Sequence, residues 1–146
     1  MGIEASLKTY LSAQGGIASL AGSRIYRGHA PQGAISPLTE SWLPFIVLQR
    51  ITGGHEHELS GGAGIAQPTI QIDCIAPTYG QAKELSEAVR AVLQGYSGAM
   101  SSDTVRVATL ENEIDIIEPP ETAAERPVHR VVTDYRIWVL ESAPSL

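Results

Sequence analysis

Between Thr69 and Gly95 a run of strict alternation passes directly into a run of helical period, and this switch limits the fold more than any other feature. Ile70, Ile72, Cys74 and Ala76 point one way while Thr69, Gln71 and Asp73 point the other, the pattern of a strand with one buried face. Cys74 thereby faces the core. Thr78 and Gln81 then fit a capping box, in which the hydroxyl accepts from a free helix N–H and the amide side chain returns the bond. Ala82, Leu85, Ala88, Val89 and Val92 form the apolar stripe of the helix that starts there. Lys83 and Glu87 make an i, i+4 pair on its wet side, and Gly95 is placed to end it.

The flanking sequence supplies a second helix and more strands. Ile3, Leu7, Tyr10 and Leu11 lay an apolar stripe along an N-terminal helix that Gly15-Gly16 interrupts, with a short helical turn at Ile17 to Ala21 after it. Ile25-Tyr26 reads as a brief strand before a Pro, Gly and Ser segment that runs to Ser41. Pro44 to Thr52 reads as a strand entering and leaving the core. Thr104 to Ile117 alternates too, but its apolar parity changes from Val105 and Val107 to Ala108, Leu110, Ile114 and Ile116, which predicts a β-bulge near residue 108. After a Pro-rich solvated loop, Glu118 to Pro127, a last strand sets Val131, Tyr135, Ile137 and Val139 against Arg130, Asp134 and Arg136. No internal repeat is present. The order predicts an α+β fold in one domain over residues 1–146: a largely antiparallel sheet, with a mixed one also allowed, and two main helices packed on one face.

Composition bounds the function. The chain of 146 residues is 43% apolar and only 5% aromatic, so its core is mostly Ile, Val, Leu and Ala. One cysteine forms no intramolecular disulfide, and a reducing compartment is the default. Neither an export signal nor an apolar run long enough to span a membrane is present. With 16 acidic against 10 basic side chains the net charge is -6, and the cations are scattered singly, which excludes the clustered positive footprint of tight nucleic-acid binding.

No constellation equipped for catalysis emerges. His55, Glu56, His57 and Glu58 offer metal-ligand side chains, but no further His or Cys cluster converges on them, so they read as a solvated polar loop. Gly61-Gly62-Ala63-Gly64 lacks the Lys and Ser or Thr of a phosphate loop. Glu111, Glu113 and Asp115 occupy one strand face and read as solvated acids. His29 and His129 stand without a nucleophile at a useful spacing. No catalytic, cofactor-binding or metal residue is assigned. What stands out is the connection from Gly53 to Ala66, with five glycines in fourteen residues, longer than a hairpin loop needs. Its residues Gly53, Gly54, His55, Glu56, His57, Glu58, Leu59, Gly61, Gly62 and Gly64 are the candidate contact loop to a neighbouring subunit.

Arg24-Ile25-Tyr26, then His29 to Gly33, then Leu43 to Ile51 and the Gly-rich segment follow one another in an order that resembles the tail-completion proteins of tailed phages, including prophage and gene-transfer-agent relatives. The resemblance continues through Gln71 to Cys74, through Tyr79, Ala82 and Leu85 to Val92, and through Tyr135-Arg136-Ile137-Trp138, covering nearly the whole chain. It implies a structural virion protein made in the bacterial host cytoplasm. Such a subunit forms a homohexameric ring at the head-proximal end of the tail tube and joins it to a neck or head-completion protein. DNA passes through the ring without specific binding, and Glu111, Glu113 and Asp115 are the candidate lumen-facing acids. No cofactor is implied. Another neck or minor tail adaptor, or a small-molecule enzyme with a hidden site, is the alternative.

Overall fold

The computed structural model describes residues 3–22, 24–28, 44–52, 55–58, 61–101, 103–118 and 128–140. The expected helix–strand order holds, and it is enriched by strands in the Gly-rich segment. In chain order the elements are α1 (Ile3–Ser12), α2 (Gly15–Ala21), β1 (Ile25–Arg27), β2 (Phe45–Thr52), β3 (His55–Glu58), β4 (Gly61–Ala66), β5 (Thr69–Ala76), α3 (Tyr79–Leu93), β6 (Gly98–Met100), β7 (Asp103–Glu118) and β8 (Val128–Leu140).

The strands form one 8-stranded sheet, ordered β1-β2-β5-β8-β4-β3, with β7 on the other side of β8 and β6 beside β7. β1 runs parallel to β2 and the other described pairings are antiparallel, so the α+β sheet is mixed. One core unites α1, α2 and α3 with a single sheet face: Leu7, Leu11, Ile17, Leu85 and Leu93 pack with Ile46, Leu48, Ile70, Ile72, Cys74, Tyr135 and Ile137. Burying each of these large side chains contributes about 1.5–3 kcal/mol, so the helical layer is held chiefly by apolar contact.

Local chemistry sets the ends of α3. The Thr78 hydroxyl accepts from the Gln81 N–H at 3.2 Å, as a capping residue must, and donates to Gln81 Oε1 at 3.1 Å. The side chain of Gln81 thus pairs with the hydroxyl rather than with the Thr78 backbone. Gly95 turns the chain with φ +78°, a conformation that side-chain-bearing residues rarely adopt. Its N–H donates to the Ala108 carbonyl at 2.7 Å, tying the end of the helix to β7. Tyr10 reinforces that end by donating to the Val92 carbonyl at 2.6 Å and stacking on Tyr96 with ring centroids 4.6 Å apart.

The segment expected to be a loop between Gly53 and Ala66 contains two strands. β2 pairs with β5, and between them in the chain β3 pairs with β4 as a two-stranded arm. Ile65 and Ala66 seat the base of the arm against Leu140 and Val139 of β8. Glycine and acidic residues favour strands weakly, and pairing overrides that preference here. The Pro, Gly and Ser segment to Ser41 and the solvated loop after Glu118 lie outside the described residues.

Candidate assembly interface

The arm β3–β4 carries part of the expected contact segment at one end of the sheet. His57 pairs with Gly62 and Glu58 with Gly61 at its far end. Gly53, Gly54 and Leu59 lie outside the described residues, as do the side chains of His55, Glu56, His57 and Glu58. What is on view is a two-stranded ribbon carrying the backbone of Gly61, Gly62 and Gly64.

The three candidate acids do not share one face. The register of β7 on β8 shifts between Val105 and Val107, close to the expected bulge, and again between Leu110 and Asn112. The second shift consumes Glu111 and reverses the side-chain parity beyond it. Glu111 therefore meets Arg136 at 3.2 Å on the sheet face away from the helices. Glu113 and Asp115 turn toward α3, where Lys83 Nζ lies 3.2 Å from Glu113 Oε1 and 3.7 Å from Asp115 Oδ1. Lys83 thus bridges from α3 to β7. The Tyr79 hydroxyl donates to Asp115 Oδ2 at 2.8 Å. These contacts raise the Lys83 ammonium through its hydrogen bond to Glu113 and the Tyr79 phenol through its hydrogen bond to Asp115. They are surface pairs, screened by solvent and salt, and add little to stability.

The same shift exposes apolar side chains. Ile114 and Ile116 pair with Val132 and Arg130 on the open face, and Ile117 pairs with His129 on the other. Sequence alternation alone put Ile114 and Ile116 with buried Ala108 and half-buried Leu110. No residue type marks the second bulge, because acidic and apolar residues keep alternating through it.

The open face also carries a small cluster of Phe45 and Ile75 packed by Tyr26, Val47 and Val128. Beside it the Arg130 guanidinium donates to Asp73 Oδ2, an ion pair that sequence reasoning missed because its members lie 57 residues apart. On the helix face Cys74 is buried, and burial pushes its thiol well up, which makes it a packing residue and a poor nucleophile. Among the described residues no group of three or more His, Cys, Asp or Glu could hold a metal ion. No described helix is long and apolar enough to cross a membrane.

The candidate groups lie on a two-stranded ribbon and on the long strand β7, the class of surface that an assembly subunit presents. Comparison with known proteins gives that class its family. Residues 5–140 match the family described as Tail completion protein gp17, and the chain belongs to it. It is a structural tail protein and not an enzyme. A chain from the virion of a native gene transfer agent particle has the same fold, with a TM-score of 0.69 and 18% identity over 94% of this chain and 94% of that one. No curated protein matches the sequence.

Proposed function

We propose that copies of this chain close into a homohexameric ring at the head-proximal end of a phage-type tail. The ring terminates the tail tube, joins it to a neck or head-completion protein and lets DNA pass without specific binding. The tail-completion match across residues 5–140 carries this reading. The particle context of the structural relative supports it, since that chain comes from an assembled virion. Synthesis in the host cytoplasm and a place in the finished virion accord with a lone, buried cysteine.

A closed ring needs two different patches on each subunit, one for each neighbour. The arm β3–β4 supplies one surface at one end of the sheet, and we assign it to the tail tube or an adjacent subunit. Light scattering over a wide concentration range, with and without purified tail tubes, measures the assembly. A sixfold mass, in solution or on tubes, is expected. Removing residues 57–62 should leave the melting transition in place and abolish joining. Unimpaired joining by the shortened chain would exclude the arm, and a monomer in every condition would exclude the ring.

A further inference from the structure

β7 has one edge on β8 along its length, whereas its outer edge is held only near its start. There β6 pairs with Asp103 to Val105, and the backbone of Ala108 bonds to Gly95 and Tyr96. From Thr109 to Ile117 that edge meets no strand among the described residues. Apolar side chains along it are exposed as well: Ile114 is 48%, Ile116 39% and Ile117 58% exposed. A long edge with free N–H and C=O groups, flanked by isoleucines, is a template for another strand.

The charges select the partner. A second β7 laid antiparallel against this one would bring Glu113 and Asp115, which share one face and the single cation Lys83, against the same two acids, and like charges facing across strands are destabilising. The opposite end of the sheet is β1, whose outer edge also meets no described strand and whose exposed Arg27 is a cation. Arg24 adds positive charge at the start of that strand, its guanidinium held by the Leu20 and Pro44 carbonyls at 3.1 and 3.0 Å. One subunit thus carries an acidic sheet edge and a basic one at opposite ends. That is the condition for head-to-tail rather than two-fold association.

We infer that the outer edge of β7 pairs with the β1 edge of a second copy of this chain, continuing the sheet from subunit to subunit. The inference rests on the ring reading and names its contact. The pairing uses the backbone edge and leaves the contacts of Glu111 with Arg136 and of Glu113 and Asp115 with α3 in place.

Disulfide trapping in the full-length chain tests it. Arg27→Cys is combined in turn with Glu113→Cys, Asp115→Cys and Ile117→Cys, which share its helix-side face and sample the register at exposed positions. A bond forms only where Cβ atoms come within about 3.5–4.5 Å, and buried Cys74 does not compete. At least one pair should yield a covalent ladder that ends at the closed ring, while each single variant yields dimers at most. Ile114→Lys with Ile116→Lys should weaken self-association at least ~10-fold at an unchanged melting temperature. Subunits that associate by light scattering yet never link β7 to residue 27, and whose association the lysines leave unchanged, overturn the edge contact and leave the ring standing. Subunits that remain monomeric at every concentration and on tail tubes overturn the ring itself, and the edge contact with it.

Discussion

Tyr135 lies wholly inside the core, and its hydroxyl has no hydrogen-bond partner among the described residues. Burial is the main force that pushes the phenol up from its ordinary value, with Cys74 adding to it, so the group stays neutral. A buried hydroxyl left without a partner costs about 1–3 kcal/mol, whereas the ring itself packs against the helical layer. Tyr135→Phe keeps the ring and removes the polar atom. We predict unchanged stability or a gain of up to ~1 kcal/mol, read as a raised urea midpoint at constant slope. A loss of more than ~1 kcal/mol would mean that the hydroxyl holds a bond, for example to an enclosed water.

At the scale of elements, what could be read from the sequence is what local chemistry decides. α3 and β5 follow from signals within a few residues of themselves: the Thr78 hydroxyl on the Gln81 N–H, the turn at Gly95, and the alternation of Ile70, Ile72 and Cys74. The arm and the second bulge follow from pairing with strands distant in sequence. Ile65 and Ala66 become strand because Leu140 and Val139 lie beside them, and Glu111 is expelled from the ladder because Leu110 and Asn112 meet successive residues of β8. This is why the two strands of the candidate contact segment were not legible, and why the candidate acids, alternating in sequence, read as one face that the bulge in fact splits. The open edge makes a further prediction for hydrogen exchange. Between Thr109 and Ile117, amides aimed at β8 should exchange slowly and the alternate ones rapidly in the monomer. Assembly should protect the rapid set if a strand is added, and an alternation that persists in the assembled ring would exclude strand addition along β7.

For the whole molecule, the proposed ring would present one of two differently charged sheet faces to a passing DNA. The helices cover one face, where Glu113 and Asp115 share Lys83. The opposite face holds Glu111 against Arg136, whose guanidinium also sits 5.7 Å from the centre of the Trp138 ring. If sheets continue round the ring with helices outside, this face lines the passage and Glu111 offsets a cation that would otherwise attract phosphate. Glu111→Lys then sets two cations side by side and changes the net charge from -6 to -4, since one unit of negative charge is lost and one of positive charge is gained. We predict that the variant assembles, acquires salt-dependent affinity for duplex DNA and slows DNA release from the particle. Each phosphate newly neutralised adds about -0.9 to the slope of log affinity against log salt, so six equivalent sites in a ring would give a steep dependence. Reversal at Glu113 and Asp115 should instead weaken the contact between β7 and α3, with little effect on DNA. The opposite pattern, DNA retention from the Glu113 and Asp115 variants and none from Glu111→Lys, would place the helix face toward the passage.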